Sequence, residues 1–192
     1  TCALPILVNV SLSNGGSSYW GDAVARFART GGLVINSAGN SSGTDPIDAP
    51  AVTAANRSAF LFVGALSPNI NAYQLEPYSN RAGVLKDRYV VAVGSNVTTS
   101  VDGATVIFSG TSSAAPVVSA LAADILSKWP QLSGQQAGDI ILNTARDIGD
   151  PGVDAVYGHG LVDFQAALSP INPTLSNGTA QASLQASVMA VP

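Results

Sequence analysis

The 192-residue sequence is poor in charged side chains and in the residues that usually bind metals. Charged residues make up 10% of it, and it contains one cysteine and one histidine. A single cysteine supplies neither a disulfide framework nor a metal cluster. Its eight lysines and arginines are scattered, and the formal net charge is −4, so no basic face for nucleic acid is expected. No apolar run approaches the ~20 residues of a membrane-spanning helix.

Hydrophobic residues, in contrast, make up 46% of the chain. This content and the length favour one domain with a sizeable core in which layers cover each other on both sides. Short apolar runs bounded by turn residues predict buried strands at 5–11, 33–37, 60–66, 89–93 and 105–108. A strand, helix, strand order at the start of the chain predicts a mostly parallel sheet. The expected fold class is therefore α/β, a three-layer sandwich.

Helical spacing and capping signals predict the helices. Trp20, Val24 and Phe27 recur at helical spacing before Gly31-Gly32, a helix stop. A second helix is predicted at 113–128, apolar on all sides, and a Ser-x-x-Gln capping box at Ser133 predicts a third, to about Arg146. Residues 169–192 are rich in serine, alanine, proline and asparagine and are predicted to be a linker or tail after a domain at 1–168.

The stretch FSGTSSAAP, residues 108–116, places Ser112 between a predicted strand and a predicted helix. At a helix N-terminus, free backbone N–H groups and the helix dipole favour negative charge, which suits a serine nucleophile. The same position also suits a simple helix cap. The stretch resembles the Gly-Thr-Ser-x-Ala-x-Pro signature of the subtilisin-like serine proteases, the subtilases. That resemblance implies that Ser112 is the nucleophile and that its N–H helps to bind the oxyanion.

Three further stretches extend the resemblance. LVINSAGN, residues 33–40, looks like the family strand whose final asparagine donates to the oxyanion, here Asn40. Residues 11–13, Ser-Leu-Ser, correspond to a strand edge that pairs with the substrate backbone, although Ser13 stands where glycine is usual. YGHGLVD, residues 157–163, resembles the end of subtilase domains. The implied substrate-binding residues are Ser11, Leu12, Ser13, Gly39 and Thr111.

The family order of catalytic residues is Asp, His, Ser, and the first two belong upstream of the Ser-Leu-Gly strand. That strand is at residue 11 here, and the one histidine, His159, lies where the family has a variable surface position. We therefore expect a subtilisin-like fold incomplete at its N-terminus, with Asp and His supplied by an upstream segment. This chain by itself should be nearly inactive. Its exposed core face should need that segment or a second copy of the chain as partner.

Two alternatives stay open from the residues. Ser112, Asp154 and His159 follow the Ser, Asp, His order of the α/β-hydrolases. A pseudoprotease passenger domain that binds peptides without cleaving them is the other.

The resemblance also bears on cofactors and location. It implies a polypeptide substrate and no cofactor. Some subtilases bind calcium, but no group of carboxylates in this sequence has the spacing of a calcium-binding site. The serine- and alanine-rich tail is similar to subtilase passenger domains of bacterial autotransporters, which precede an outer-membrane translocator. We accordingly expect a protein that is secreted or held at the bacterial surface.

Overall fold

A computed structural model describes residues 6–69 and 72–169 of the chain. Four strands form a parallel sheet in the order β1-β2-β3-β4. Their bounds are Leu7–Val10, Leu33–Ser37, Phe60–Leu66 and Tyr89–Val93. The predicted bounds of the last three are confirmed, whereas the first strand is shorter than the predicted run 5–11. Every residue of β2 and β3 is buried, as expected for strands covered on both faces.

Helices cover both faces of the sheet and give the expected three layers. One core cluster joins the sheet to helix α2, Thr111–Lys128, and helix α3, Gly134–Thr144. In it, Leu33, Leu61 and Val90 of the strands pack with Leu121 and Ile125 of α2. The second cluster packs the opposite sheet face against the buried Val24 of the crossover helix α1, Ser18–Ala28, whose Trp20 and Phe27 are partly buried beside it. The helices are α1 Ser18–Ala28, α2 Thr111–Lys128, α3 Gly134–Thr144 and α4 Phe164–Ala167. Short 3-10 segments cover Ala49–Ala51, Arg57–Ala59 and, interrupted at Leu85, Gly83–Arg88.

The helix predictions hold with small shifts at the ends. The helix α2 begins two residues earlier than predicted, at Thr111, and its fully buried Leu121 and Ile125 each contribute about 1.5–3 kcal/mol of apolar burial. The capping box of α3 is confirmed, since the Ser133 hydroxyl accepts from Gln136 N–H and the Gln136 side chain accepts from Ser133 N–H. Among residues 6–69 and 72–169, none of the helices combines the length and the hydropathy that a membrane span requires.

The predicted strand at 105–108 exists but does not join the parallel sheet. It is β6, Thr105–Ser109, and it pairs antiparallel with an unpredicted strand β5, Ser95–Thr99. All five residues of β6 are exposed, because a two-stranded ribbon standing off the body has no layer to bury it. The polar alternation of β5 carries little apolar signal, which explains the missed strand. The base of this hairpin is attached to the sheet through Gly110 N–H, which donates to Gly94 O at 2.9 Å.

Candidate active site

Ser112 is the second residue of α2 and lies beyond the carboxyl ends of the parallel strands. Gly110 precedes the helix with φ of +138°, a left-handed conformation that favours glycine and lets the chain turn sharply from β6 into α2. The Ser113 and Ala114 N–H groups both donate to Gly110 O. Ser112 N–H has no hydrogen-bond partner within the described part of the chain. The helix therefore presents a free donor at the residue that carries the hydroxyl.

Asn40 lies three residues after the end of β2, and its side chain contacts the first residue of α2. Its Oδ1 accepts from Thr111 N–H and from Thr111 Oγ1, both at 2.9 Å. A backbone N–H can only donate, so the amide atom facing it must be the oxygen, and Nδ2 points elsewhere. Nδ2 has no hydrogen-bond partner among residues 6–69 and 72–169. Thr111 thus orients the amide and leaves its donor free.

The two free donors border the same small space. A methyl group built on Gly110 would lie 3.4 Å from Asn40 Nδ2 and 3.7 Å from Ser112 N. Asn40 is exposed and Ser112 is partly buried, so this space opens at the surface. The structure therefore brings together the asparagine and the serine that the sequence separates by seventy-two positions. Two N–H donors around one point can stabilise an oxygen that gains negative charge.

Gly39 and Thr111, both predicted to bind substrate, connect the two donors. Gly39 N–H donates to Thr111 Oγ1 at 3.2 Å, and that hydroxyl in turn donates to Asn40 Oδ1. Gly39 has φ of +107°, and a Cβ there would come within 2.8 Å of Asn80 Nδ2. The glycine is required both by the backbone conformation and by the close approach. The end of β2 and the start of α2 are therefore joined by a short hydrogen-bonded chain.

The Ser112 hydroxyl donates to the carbonyl of Ser11 at 3.0 Å, and the Ser11 hydroxyl donates to the carbonyl of Ser112 at 3.0 Å. This reciprocal pair places the nucleophile candidate against the residue that follows β1. A carbonyl oxygen is a poor proton acceptor and cannot act as a general base. Within the described residues, no histidine or carboxylate accepts a hydrogen bond from Ser112.

Leu12 and Ser13 complete the predicted peptide-binding edge. The Leu12 side chain is 75% exposed, and Ser13 is exposed while its hydroxyl donates to Asp48 Oδ1 at 3.2 Å. The Ser13 hydroxyl is therefore held by the protein. Asp48 is a fully buried carboxylate that the sequence analysis missed, since a lone aspartate in a loop carries no motif.

The geometry contradicts the α/β-hydrolase assignment of Ser112, Asp154 and His159. His159 N–H donates to Tyr89 O at the first residue of β4, whereas Gly110 donates to Gly94 O beyond the other end of that strand. Five residues of extended chain separate these two points by about 16 Å. The Asp154 carboxylate accepts from the N–H groups of Val156 and Tyr157 rather than from the histidine.

His159 also differs from the expected surface position, because it is half-buried. Burial lowers the pKa of its imidazole, and the nearby Arg88 charge adds to this, while contacts with the backbone of Leu142 and Asp87 oppose it. The loop 157–160 packs on the first residue of β4, where Tyr89 O accepts from His159 N–H. The histidine is thus part of the packing at the amino end of the sheet.

Within residues 6–69 and 72–169, no three His, Cys, Asp or Glu side chains come together in a way that could hold a metal ion. The predicted linker at 169–192 lies outside the described residues except for Ser169, and so does Cys2.

Known proteins with similar sequences point in the same direction as the site. The model of the Subtilase family matches residues 6–160. Subtilisin DY of Bacillus licheniformis is 32% identical over 180 residues, which cover 84% of this chain and 56% of the relative. The autotransporter lipoprotein NalP of Neisseria meningitidis is 43% identical over 60 residues, 31% of this chain and 6% of the relative. The chain thus spans about half the length of Subtilisin DY.

Solved structures with the same fold include two proteases. The self-cleaved protease domain of PatA superposes with a TM-score of 0.69 at 23% identity, covering 84% of this chain and 60% of that one. The S41 psychrophilic protease superposes with a TM-score of 0.68 at 27% identity, covering 81% of this chain and 56% of that one. The family match, the shared fold and the free donors around Ser112 lead to one conclusion. This chain belongs to the subtilase family of serine peptidases.

Proposed function

We propose that this chain is the C-terminal portion of the catalytic domain of a serine endopeptidase that hydrolyses peptide bonds. The observation that carries the proposal is the pair of hydrogen bonds from Thr111 to Asn40 Oδ1, which leaves Asn40 Nδ2 free. Ser112 N–H is free as well, and both donors lie beside Gly110. Such an arrangement costs hydrogen bonds in the resting protein. It is useful when an anion forms there transiently, as in acyl transfer.

In the proposed reaction, Ser112 Oγ attacks the carbonyl carbon of the scissile bond. The hydroxyl proton passes to a base supplied from outside this chain, and the carbonyl oxygen becomes an anion held by Asn40 Nδ2 and Ser112 N–H. The C–N bond then breaks, and the base returns the proton to the leaving amine. Water hydrolyses the acyl-enzyme in the reverse sense and releases Ser112. No cofactor takes part in these steps.

The backbone of residues 11–13 would hold the substrate as an added strand. The edge lies directly after β1 and next to Ser112, so a peptide paired with it would pass over the nucleophile. Main-chain pairing gives affinity with little demand on sequence. The Leu12 side chain, 75% exposed, is free to contact the bound peptide.

The proposed partners follow from the need of Ser112 for a base that this chain does not supply. The catalytic Asp and His would come from an upstream segment, and this chain without them would be nearly inert. The outer edge of β1 and the partly buried Val8 and Val10 offer that segment a strand edge with apolar side chains. A second copy of this chain covering the same face is the competing partner.

The relatives favour a site of action outside the cytoplasm. Their names include an extracellular serine protease of Serratia marcescens, 39% identical over 61 residues, and the autotransporter lipoprotein NalP. We propose that this protein is secreted or displayed at the cell surface. A more specific proposal is that an outer-membrane translocator domain follows this chain in the full-length protein.

The proposal is tested in the full-length protein that contains this chain, with a fluorophosphonate that labels activated serines. Labelling and peptide cleavage should both disappear in Ser112→Ala and persist in Ser109→Ala, an exposed neighbouring serine in β6. The isolated chain should react only after the upstream segment is added as a separate polypeptide. A full-length protein that binds peptides but neither labels nor cleaves would instead identify a peptide-binding pseudoprotease.

A further inference from the structure

Asp48 is a fully buried carboxylate just behind the predicted peptide-binding edge. The ion pairs found among the described residues involve Asp87 and Asp139, so no lysine or arginine there neutralises Asp48. A buried charge without a cation is costly unless hydrogen bonds replace its hydration. Its donors therefore show which part of the chain the charge organises.

Four donors surround the carboxylate, and three of them come from the turn at residues 13–16. Asp48 Oδ1 accepts from Ser13 Oγ at 3.2 Å, from Asn14 N–H at 3.0 Å and from Gly16 N–H at 2.9 Å. Gly15 and Gly16 have φ of +63° and +67°, so this turn is wound in the left-handed region. Gly15 N–H donates to Ser13 Oγ. The turn is thus wrapped around the anion.

The fourth donor connects the carboxylate to the sheet. Asn36, fully buried in β2, donates from Nδ2 to Asp48 Oδ2 at 3.2 Å, while its own Oδ1 has no partner among the described residues. A carboxylate can only accept, so Asn36 must turn its NH₂ towards Asp48 and leave its oxygen unpaired. Asn36 is also the register partner of Val10, the last residue of β1. Asp48 therefore joins the end of the β1–β2 pair to the turn.

We propose that Asp48 is a positioning residue that holds the peptide-binding edge at residues 11–13 in place. The inference rests on the proposed function of that edge. Ser11 is held at one end by the reciprocal hydrogen bonds with Ser112, and Ser13 is held at the other end by Asp48. Leu12 lies between the two anchors with its side chain in solvent. An edge held at both ends keeps its backbone groups ready to pair with a substrate.

The docking of the peptide and the reactivity of Ser112 should therefore depend on different residues, and kinetics can distinguish them. Loosening Asp48 should weaken the docking of extended peptides, because it frees the 13–16 turn. It should leave the reactivity of Ser112 nearly unchanged, since the hydrogen bonds from Thr111 to Asn40 do not involve Asp48 and the reciprocal bonds between Ser11 and Ser112 stay in place. Positioning therefore predicts a change in KM without an equal change in kcat.

The experiment uses the full-length protein with Asp48→Asn and Ser13→Ala. The matched controls are Asp22→Asn and Ser18→Ala, both exposed in α1. We expect KM for extended peptides to rise about fivefold to tenfold in both test variants. In Asp48→Asn, we expect kcat and the rate of fluorophosphonate labelling to stay within about twofold of wild type. Ser13→Ala changes an exposed residue and decides the question if Asp48→Asn fails to fold.

Two outcomes would overturn the inference. Unchanged KM values for the extended peptides would show that the edge needs no anchor at Asp48. An equal fall of kcat, labelling and folded fraction would show that Asp48 acts only on stability. A wild-type protein that is not labelled at Ser112 would contradict the proposed function first, and this inference with it, so the two failures are distinguishable.

Discussion

The two ends of the parallel sheet use polar side chains in opposite ways. At the amino end, Arg88 is 8% exposed and its guanidinium donates to Ser58 O, Phe60 O and Asp139 at 2.8–2.9 Å. At the carboxyl end, Asn40 Nδ2 and Ser112 N–H lack partners within the described residues, although both lie near the surface. A completed network stabilises the fold. An incomplete one at an opening can bind a charge that forms there.

The same kinds of hydrogen-bonding group therefore serve stability or chemistry, according to whether a donor is left unpaired. The hydrogen bonds of Gly39 and Thr111 orient the Asn40 side chain through its Oδ1. None of them uses Asn40 Nδ2, the donor that could bind an anion. Three substitutions test this contrast between the two ends of the sheet.

The largest effect is expected at Asn40. Asn40→Asp keeps an oxygen for Thr111 but replaces the free donor with a charge that repels an oxyanion. Removal of one such donor lowers kcat by about a hundredfold to a thousandfold, so we expect at least that loss with KM little changed. Steady-state kinetics on a peptide substrate measure it in the full-length protein. Asn143→Asp, exposed in α3, is the control, and equal effects of both variants would contradict the assignment.

The next effect is expected at Arg88, and in stability rather than in activity. Arg88→Ala removes the partners of two backbone carbonyls, Ser58 O and Phe60 O, and should lower the free energy of unfolding by about 2–3 kcal/mol. The control is Arg57→Ala, whose side chain is 39% exposed beside Asp87 and should cost less than about 1 kcal/mol. Urea denaturation compares the two. A large loss of kcat at saturating substrate in folded Arg88→Ala would contradict the division between the sheet ends.

The smallest effect is expected at His159 and depends on pH. Its folded-state pKa lies below the ordinary value of 6.5, mainly because of burial, so the unfolded chain binds the proton more readily. Stability should therefore fall as the pH drops through 6.5 towards the folded pKa, and it should be fully retained above 6.5. Urea titrations at pH 5 and pH 7.5 should show a smaller difference for His159→Gln than for wild type. A serine-labelling rate that falls with this substitution would revive the hydrolase alternative.

Local patterns predicted the parallel sheet well. The strands at 33–37, 60–66 and 89–93 have the predicted bounds, because each is a short apolar run closed by turn residues and buried on both faces. The capping box at Ser133 was equally readable, since a cap depends on residues three positions apart. The strand β5 was missed because an exposed hairpin needs no continuous apolar signal. The strand predicted at 105–108 exists as β6, but it is exposed and pairs with β5, because its apolar run does not show which neighbour it will meet.

Three of the parallel strands, the capping box of α3 and the motif around Ser112 could be recognised in the sequence, because each depends on residues within a few positions of one another. Only the folded chain shows that Asn40 faces Thr111, that Ser11 contacts Ser112 across 101 positions, and that Asp48 accepts hydrogen bonds from the 13–16 turn. Contacts of that kind arise only when parallel strands bring their carboxyl ends together, and no local pattern records which side chains then meet. The fold also holds His159 away from Ser112, although the order of these residues along the chain had allowed them to form one catalytic site.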